Sequence, residues 1–197
     1  SELHIDSNVT LECQGDNDGD PVNGSGVTIS ATNINIASTA AISATGLGFR
    51  DNQGPGAGSY YASNSRGGGG GHGGHGADGR YCYGGSTYGS VSAPTSLGSS
   101  GGAYNTYGGG PGGGGSGGGI LIKLNSLFNP VNITGKLFAV GGNGGNGGDG
   151  GGGNSDGGGS GGGGSGGRIK VFHRSQVIGS STVVCNGGAR GLGGNRT

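Results

Sequence analysis

The sequence predicts an all-β protein, a parallel β-helix of about three coils with stacked glycine-rich, polyglycine-II-like loops as a second layer beside it. Three observations carry this prediction. Short alternating strands recur in sets of three, each set is closed by glycines, and the longest glycine stretch beats in threes. In residues 141–167, wedged between the apolar runs Lys136–Val140 and Arg168–Phe172, the residues Asn143, Asn146, Asp149 and Ser155 fall on one period of three, with Gly152 on the missing beat. His72, His75 and Asp78 keep the same beat earlier in the chain. A period of three fits neither an α-helix nor a strand. It fits the left-handed polyproline-II-type helix, which rises ~3.1 Å per residue and makes no internal hydrogen bonds. Every glycine N–H and C=O in such a segment needs a neighbour, and bare glycine faces permit the approach while Asn, Asp, His or Ser points outward along one edge. Collagen demands Gly at every third place with abundant Pro, whereas here Gly fills two places of three. The competing reading is a flexible Gly/Ser linker; the phased polar residues and the strong strands on both sides count against it.

Residues 1–26 are a degenerate first coil, with alternating runs at Leu3–Ile5 and Val9–Leu11 and then the polar turn DNDGDPVNGSG. Residues 27–48 hold the first full triplet, Val27–Ile29, Ile34–Ile36 and Ala41–Ala44, closed by Gly46 and Gly48. Each run alternates apolar with polar, the sign of a strand with one buried face. A glycine-rich excursion over 49–119 carries Gly67–Gly71, the His72/His75 stretch, the aromatic segment YCYGGSTYG and a turn at Pro94. The triplet returns over 120–142 as Ile120–Leu124, Val131–Ile133 and Lys136–Val140, closed by Gly141 and Gly142. After the excursion over 143–167 it returns again over 168–188 as Arg168–Phe172, Gln176–Ile178 and Thr182–Cys185, closed by Gly187 and Gly188. Three strands per turn imply equivalent strands stacked ~4.8 Å apart, with insertions leaving from one corner so that the loops stack as well. The chain reads as one domain over 1–197. An antiparallel β-sandwich is the alternative fold; the recurring order of strand lengths argues mildly against it.

Sixty of the 197 residues are Gly, only 10% are charged, and Met and Trp are absent. Ordering so much glycine costs more backbone entropy than an ordinary core of this composition offsets, so order must come from another source. Formal net charge is zero, which gives no steering toward nucleic acid or anionic membranes. No apolar stretch approaches the ~20 residues of a membrane span, and no signal-peptide pattern opens the sequence, as expected of a processed chain or a piece of a longer one. Asn8, Asn23, Asn132 and Asn195 each begin an Asn-x-Ser/Thr sequon and are candidate glycan sites in a secreted setting. Three cysteines, Cys13, Cys82 and Cys185, leave one over whichever pair bonds. Cys13–Cys82 is the pairing tried first; three buried free thiols are the alternative.

The segments RGGGGGHGGHGADGR, YGSVSAPTSLGSSGG and GGGPGGGGSGGGILIKL resemble the Gly-rich repeat of large secreted eukaryotic surface and cell-wall proteins. In that repeat the strand leads into an A-x-G-G-x-G turn, which here is Ala139 to Gly144. The resemblance covers roughly Val27 to Gly194 and implies a β-helical architecture in surface or appendage proteins, mostly without known chemistry. A looser resemblance, resting on glycine alone, extends to polyglycine-II bundles of phage tail-tip adhesins and some antifreeze proteins.

Chemistry is sparse. The strands carry Lys123, Lys136, Arg168 and Lys170 but no paired carboxylates for general acid–base work, and no serine sits in a nucleophile elbow, so no enzyme is expected. Asp16, Asp18 and Asp20 have the alternation of a calcium loop, the only cofactor in view, but Pro21 and Val27 stand where an EF-hand needs Gly and Glu. Gly144 to Asp149 matches the start of a calcium nonapeptide pattern that fails at Gly151, and His72 with His75 and Asp78 makes an incomplete metal set, best read as exposed ridge residues. Tyr60, Tyr61, Tyr81, Tyr83, Tyr88, Tyr104 and Tyr107 offer either a sugar-binding surface or caps for the glycine layer. A β-helix needs capping segments to stay monomeric, and neither end supplies one. The expected function is therefore an extracellular or cell-surface structural protein, glycosylated, polymerising head to tail with itself into a fibril or appendage, without nucleic acid or membrane insertion. A glycan- or cell-surface-binding adhesin module is the alternative, and ice binding a distant third.

Overall fold

The computed structural model describes residues 1–16, 23–50, 52–60, 67–79, 81–93, 95–102, 119–124, 131–146, 160–173 and 177–192. Among them the only regular elements are strands: β1 (Glu2–Ile5), β2 (Thr10–Glu12), β3 (Val27–Ala31), β4 (Asn33–Ile36), β5 (Ala41–Ser43), β6 (Gly119–Leu124), β7 (Val131–Ile133), β8 (Lys136–Phe138), β9 (Arg168–Phe172), β10 (Val177–Ile178) and β11 (Thr182–Val184). Every run expected from alternation forms, with ends shifted by a residue or two.

The strands sort into three sheets by counting in threes: β1-β4-β7-β10, β2-β5-β8-β11 and β3-β6-β9. All these pairings are parallel, and antiparallel contact among the described residues is limited to the isolated bridges Asp16–Ser25, Ser25–Ser96 and Gly79–Cys82. The antiparallel sandwich is therefore not what the chain builds. Parallel partners need a crossover between them, and here two intervening strands supply it each time.

Register is fixed by what faces inward. Leu3 lies beside Ile34, Ile36 beside Ile133, and Leu11, Ile42, Leu137 and Val183 form one continuous column. Ile34, Ile36, Ile42 and Leu137 are buried together with Ile5, Cys13, Ala44 and Ile133 in the main apolar core. At about 1.5–3 kcal/mol for each large side chain taken out of water, this column sets the register, because a one-residue slip turns it to solvent. Polar partners face out: Asn132 Nδ2 donates to Asn35 Oδ1 across adjacent strands at 3.3 Å.

The glycine segments pack as a second layer whose hydrogen bonds repeat every third residue. Gly67 and Gly70 donate to the carbonyls of Ser160 and Gly163, Gly68 and Gly71 to those of Ser59 and Gly56, and Gly69 to that of Ala77. Gly161, Gly164 and Gly167 donate to Gly145, Gly142 and Ala139, while Gly162 and Ser165 donate to Gly102 and Ser99. Each segment thus addresses a different neighbour with each residue and returns to the first after three. The spacing leaves no room for side chains: a Cβ on Gly162 would overlap the Gly68 carbonyl oxygen. Phe49 and Leu97, both fully buried, lie against Gly24 at the margin of this layer.

Of the phased residues in 141–167, Asn143 and Asn146 are described; Asp149, Gly152 and Ser155 lie outside the described residues. The two asparagines are exposed, as expected, but they also act as acceptors. Asn143 Oδ1 takes the Ala189 N–H and Asn146 Oδ1 the Leu192 N–H, both at 2.8 Å. Their side chains stand in for a carbonyl that the next glycine segment would otherwise lack.

The Cys13–Cys82 bridge does not form: Cys13, Cys82 and Cys185 are all free thiols. Cys13 belongs to the apolar core between the sheets, whereas Cys82 sits in the glycine layer next to Gly79. The two cysteines are held in different layers.

Candidate functional site

The most unusual surface is the outer edge formed by β9, β10 and β11. Within one column Ile42 and Leu137 are 0% and 1% exposed, while Val183, next in line, is 53% exposed. Val183 has a paired strand on one side only, and Leu11, in the same position at the other end of the column, is partly buried, so the exposure belongs to this edge in particular. Phe172, Val177 and Ile178 are similarly exposed along the same edge. The backbone N–H and C=O groups of an outer strand are a template for pairing with another strand. At the opposite edge β1, β2 and β3 are the outer strands, with Leu3, Leu11 and Val27 partly buried against the core. Both edges belong to the same three sheets and run in the same direction.

A sequence signal for these edges lies in the distribution of charge rather than its sum. Residues 1–49 carry Glu2, Asp6, Glu12, Asp16, Asp18 and Asp20 and no Lys or Arg. Residues 157–197 carry Arg168, Lys170, Arg174, Arg190 and Arg196 and no Asp or Glu. A net charge of zero hides this segregation, which composition alone does not reveal.

A second polar cluster fastens the glycine layer to β9. The His72 ring is fully buried, with Nδ1 donating to the Gly166 carbonyl at 3.2 Å and Nε2 accepting from Ser96 Oγ at 3.0 Å. Its ring lies 4.8 Å from that of Tyr88, tilted by 38°. Burial pushes the His72 pKa down to about 4, against the smaller opposing effect of the Gly166 bond and helped by the Arg168 charge. Tyr88 is pushed up to about 12, again mainly by burial; its hydroxyl donates to the Leu97 carbonyl and accepts from Ser99 Oγ. Arg168 Nη2 donates to the carbonyls of Tyr88 at 2.7 Å and His72 at 3.4 Å. Both imidazole nitrogens are thus spent on protein partners, and the cluster acts as a clamp.

The paired-histidine reading needs correcting. His72 faces inward, while His75 is exposed with its Nδ1 3.1 Å from the Gly76 carbonyl, and Asp78 Oδ1 accepts from the Gly84 N–H. No group of three or more His, Cys, Asp or Glu able to hold a metal occurs among the described residues. Asp16 is exposed beside its bridge partner Ser25; Asp18 and Asp20 lie outside the described residues. Of the sequons, Asn8 is exposed in a left-handed turn after β1, and Asn23 is exposed in the segment leading to β3. Asn132 is exposed on β7 with its amide nitrogen bonded to Asn35, and Asn195 lies outside the described residues. Tyr60, Tyr81 and Tyr83 are 50%, 73% and 77% exposed, Tyr88 belongs to the clamp, and Tyr61, Tyr104 and Tyr107 lie outside the described residues. Among the described residues no helix is long and apolar enough to cross a membrane.

No family model matches the chain, and no curated protein or solved structure is significantly similar to it.

Proposed function

We propose that this chain is an extracellular structural protomer, a parallel β-helix of about three coils beside a polyglycine-II-like layer, that assembles end to end into a fibril or surface appendage. The observation that carries the reading is the jump in exposure along one column, from Leu137 at 1% to Val183 at 53%. A core that repeats by stacking is relieved of that exposure by one more layer of strands, and a second copy offers strands of the same direction in the same sheets. A head-to-tail contact that does not close on itself propagates as a filament. The extracellular setting rests on the exposed sequon residues Asn8 and Asn23, covalent glycans there being compatible with stacking because both lie in turns and loops.

The test is negative-stain microscopy with sedimentation of the purified chain at micromolar concentration. Filaments are expected, and the exposed substitution Val183→Asp is expected to abolish them while the β-type circular dichroism persists. Monomers alone under all conditions would end the reading.

A second reading has its own observation. The exposed Tyr60 and Tyr83 flank one point of the glycine layer, where the Ser59 N–H donates to the Tyr83 carbonyl, and aromatic faces of this kind bind sugars. An adhesin loses binding on a glycan array when Tyr81 and Tyr83 become Ala, whereas a fibril protomer carrying those changes still assembles.

A further inference from the structure

We infer that successive copies meet in one register, the first strands of one copy on the last strands of the next, and that Cys185 of one copy closes a disulfide with Cys13 of the next. The inference rests on the end-to-end reading and adds its polarity, its register and a covalent staple.

The register comes from a single column at one corner of the core. The paired residues Ser43, Phe138 and Val184 end the β5-β8-β11 ladder. One residue further the same pattern continues: Cys13 N–H donates to Ser43 O at 2.7 Å, Ala44 N–H to Phe138 O at 2.8 Å and Ala139 N–H to Val184 O at 2.9 Å. The column therefore reads Cys13, Ala44, Ala139, Cys185. The two inner places are fully buried alanines, and a cysteine stands at each end, Cys13 buried and Cys185 half-buried. Stacking a second copy continues this column, placing Cys185 one strand spacing, ~4.8 Å, from the next copy's Cys13. That lies within the ~4.4–6.8 Å range of Cα separations in disulfides. The Cβ atoms must close by up to ~1 Å, and Cys13, 3% exposed in one copy, must be uncovered as the next copy docks.

The same placement sets β10 against the next copy's β1 and β11 against its β2, so that Val183 faces the next copy's Leu11 and Val177 its Leu3. Because the third sheet has three strands where the others have four, one strand position stays open between β9 and the next copy's β3. Polarity follows from charge. Head-to-tail stacking brings the end that carries Glu2, Asp6, Glu12 and Asp16 to the end that carries Arg168, Lys170 and Arg190. Stacking acidic edge on acidic edge opposes the like charges of Glu2 and Glu12 and is disfavoured for that reason.

The bond needs an oxidant, and a low-molecular-weight disulfide suffices. The Cys185 thiolate attacks it and expels one thiol; the next copy's Cys13 thiolate then attacks Cys185 Sγ in the mixed disulfide and expels the second thiol. Two cysteine protons are lost, two small thiols are formed, and one protein disulfide remains. Burial raises both cysteine pKa values, so closure accelerates as the pH rises.

The experiment incubates the full chain with glutathione disulfide at mildly alkaline pH, with three readouts: sedimentation, a non-reducing gel and mass spectrometry of the digest. Within one chain Cys13 and Cys185 are three strand spacings apart, ~14 Å, so a linked Cys13–Cys185 pair comes only from two copies. The expected result is a covalent ladder that collapses on reduction, contains that pair, persists in Cys82→Ser, and disappears in Cys185→Ser although the latter still sediments. Sedimentable assemblies without the linked pair, or linked instead through Cys185–Cys185 or Cys82, overturn the register while leaving end-to-end assembly intact. Absence of any assembly, as when a further segment of the same polypeptide covers the edge, overturns both.

Discussion

In the strand tiers Ile42 is surrounded by side chains from the tiers on either side and none of its surface is exposed; in the glycine layer Gly162 is surrounded by backbone. Both regions satisfy their main-chain groups through neighbouring segments, yet they close the space between segments in opposite ways. The tiers fill it with aliphatic volume and gain from the hydrophobic effect. The glycine layer brings main chains together until no side chain fits, and gains from hydrogen bonds and dispersion alone. One region is therefore sensitive to removing atoms and the other to adding them.

The comparison is broken most forcefully at the strand core. Ile42→Ala is expected to cost about 2–5 kcal/mol, the range for a large aliphatic residue removed from a tight core. Denaturant unfolding monitored by circular dichroism measures it. A loss near zero would mean that the glycine layer, and not the column, holds the tiers in register.

Next in size is the clamp joining the two regions. His72 is neutral in the fold, and its pKa of about 4 lies below the ordinary 6.5. Below pH ~6.5 the unfolded chain binds a proton that the folded chain refuses, so stability is full above that value and falls as the pH drops toward about 4. The loss amounts to about 3 kcal/mol when complete. His72→Asn, which keeps a hydrogen-bonding side chain without a titrating ring, is expected to flatten that part of the profile. An equal acid dependence in wild type and variant would refute the assignment.

Adding atoms to the glycine layer ranks third. Gly162→Ala puts a methyl group onto the Gly68 carbonyl, and overpacking of this kind costs about 1–3 kcal/mol. Hydrogen exchange should show where the damage falls, with faster exchange across the Gly67–Gly71 and Gly161–Gly164 amides and unchanged protection in β4 and β5. Uniform loss of protection would mean that the two regions unfold as one unit.

Much of this division was legible in the sequence. Alternation in runs such as Ile34–Ile36 is a local consequence of one face being buried, and the triplet order gave the every-third pairing of the sheets. The beat of three likewise marked segments whose hydrogen bonds do repeat every third residue. What it could not tell is which face a beat residue presents. His72 and His75 share a beat, but the His72 N–H donates to the Gly74 carbonyl at 3.0 Å, so the chain turns between them and sends one ring inward and the other out. Asn143 and Asn146 are acceptors only because the segment of Ala189 and Leu192 lies beside them, a pairing set 46 residues away in the chain. The Cys13–Ala44–Ala139–Cys185 column is invisible for the same reason, since it exists only once the register is known.

The smallest expected effects sharpen the comparison best, because they separate two reasons for having glycine. Gly46 and Gly74 both have nothing within 4 Å of an added Cβ, so neither is a close-approach position. Gly46, however, has φ +69°, in the left-handed region at the end of a strand triplet. Gly46→Ala is expected to cost about 1–2 kcal/mol through that conformation alone. Gly74 carries no such φ, and Ala there restricts the unfolded chain without meeting anything in the folded one, so Gly74→Ala is expected to be neutral or to stabilise by up to ~1 kcal/mol. Opposite signs for these two changes, read as shifts in the same unfolding midpoint, would show that glycine in this protein is selected position by position for contact, for conformation or for neither. A loss at Gly74 as large as at Gly162 would instead make the whole layer intolerant of side chains, whatever the local space.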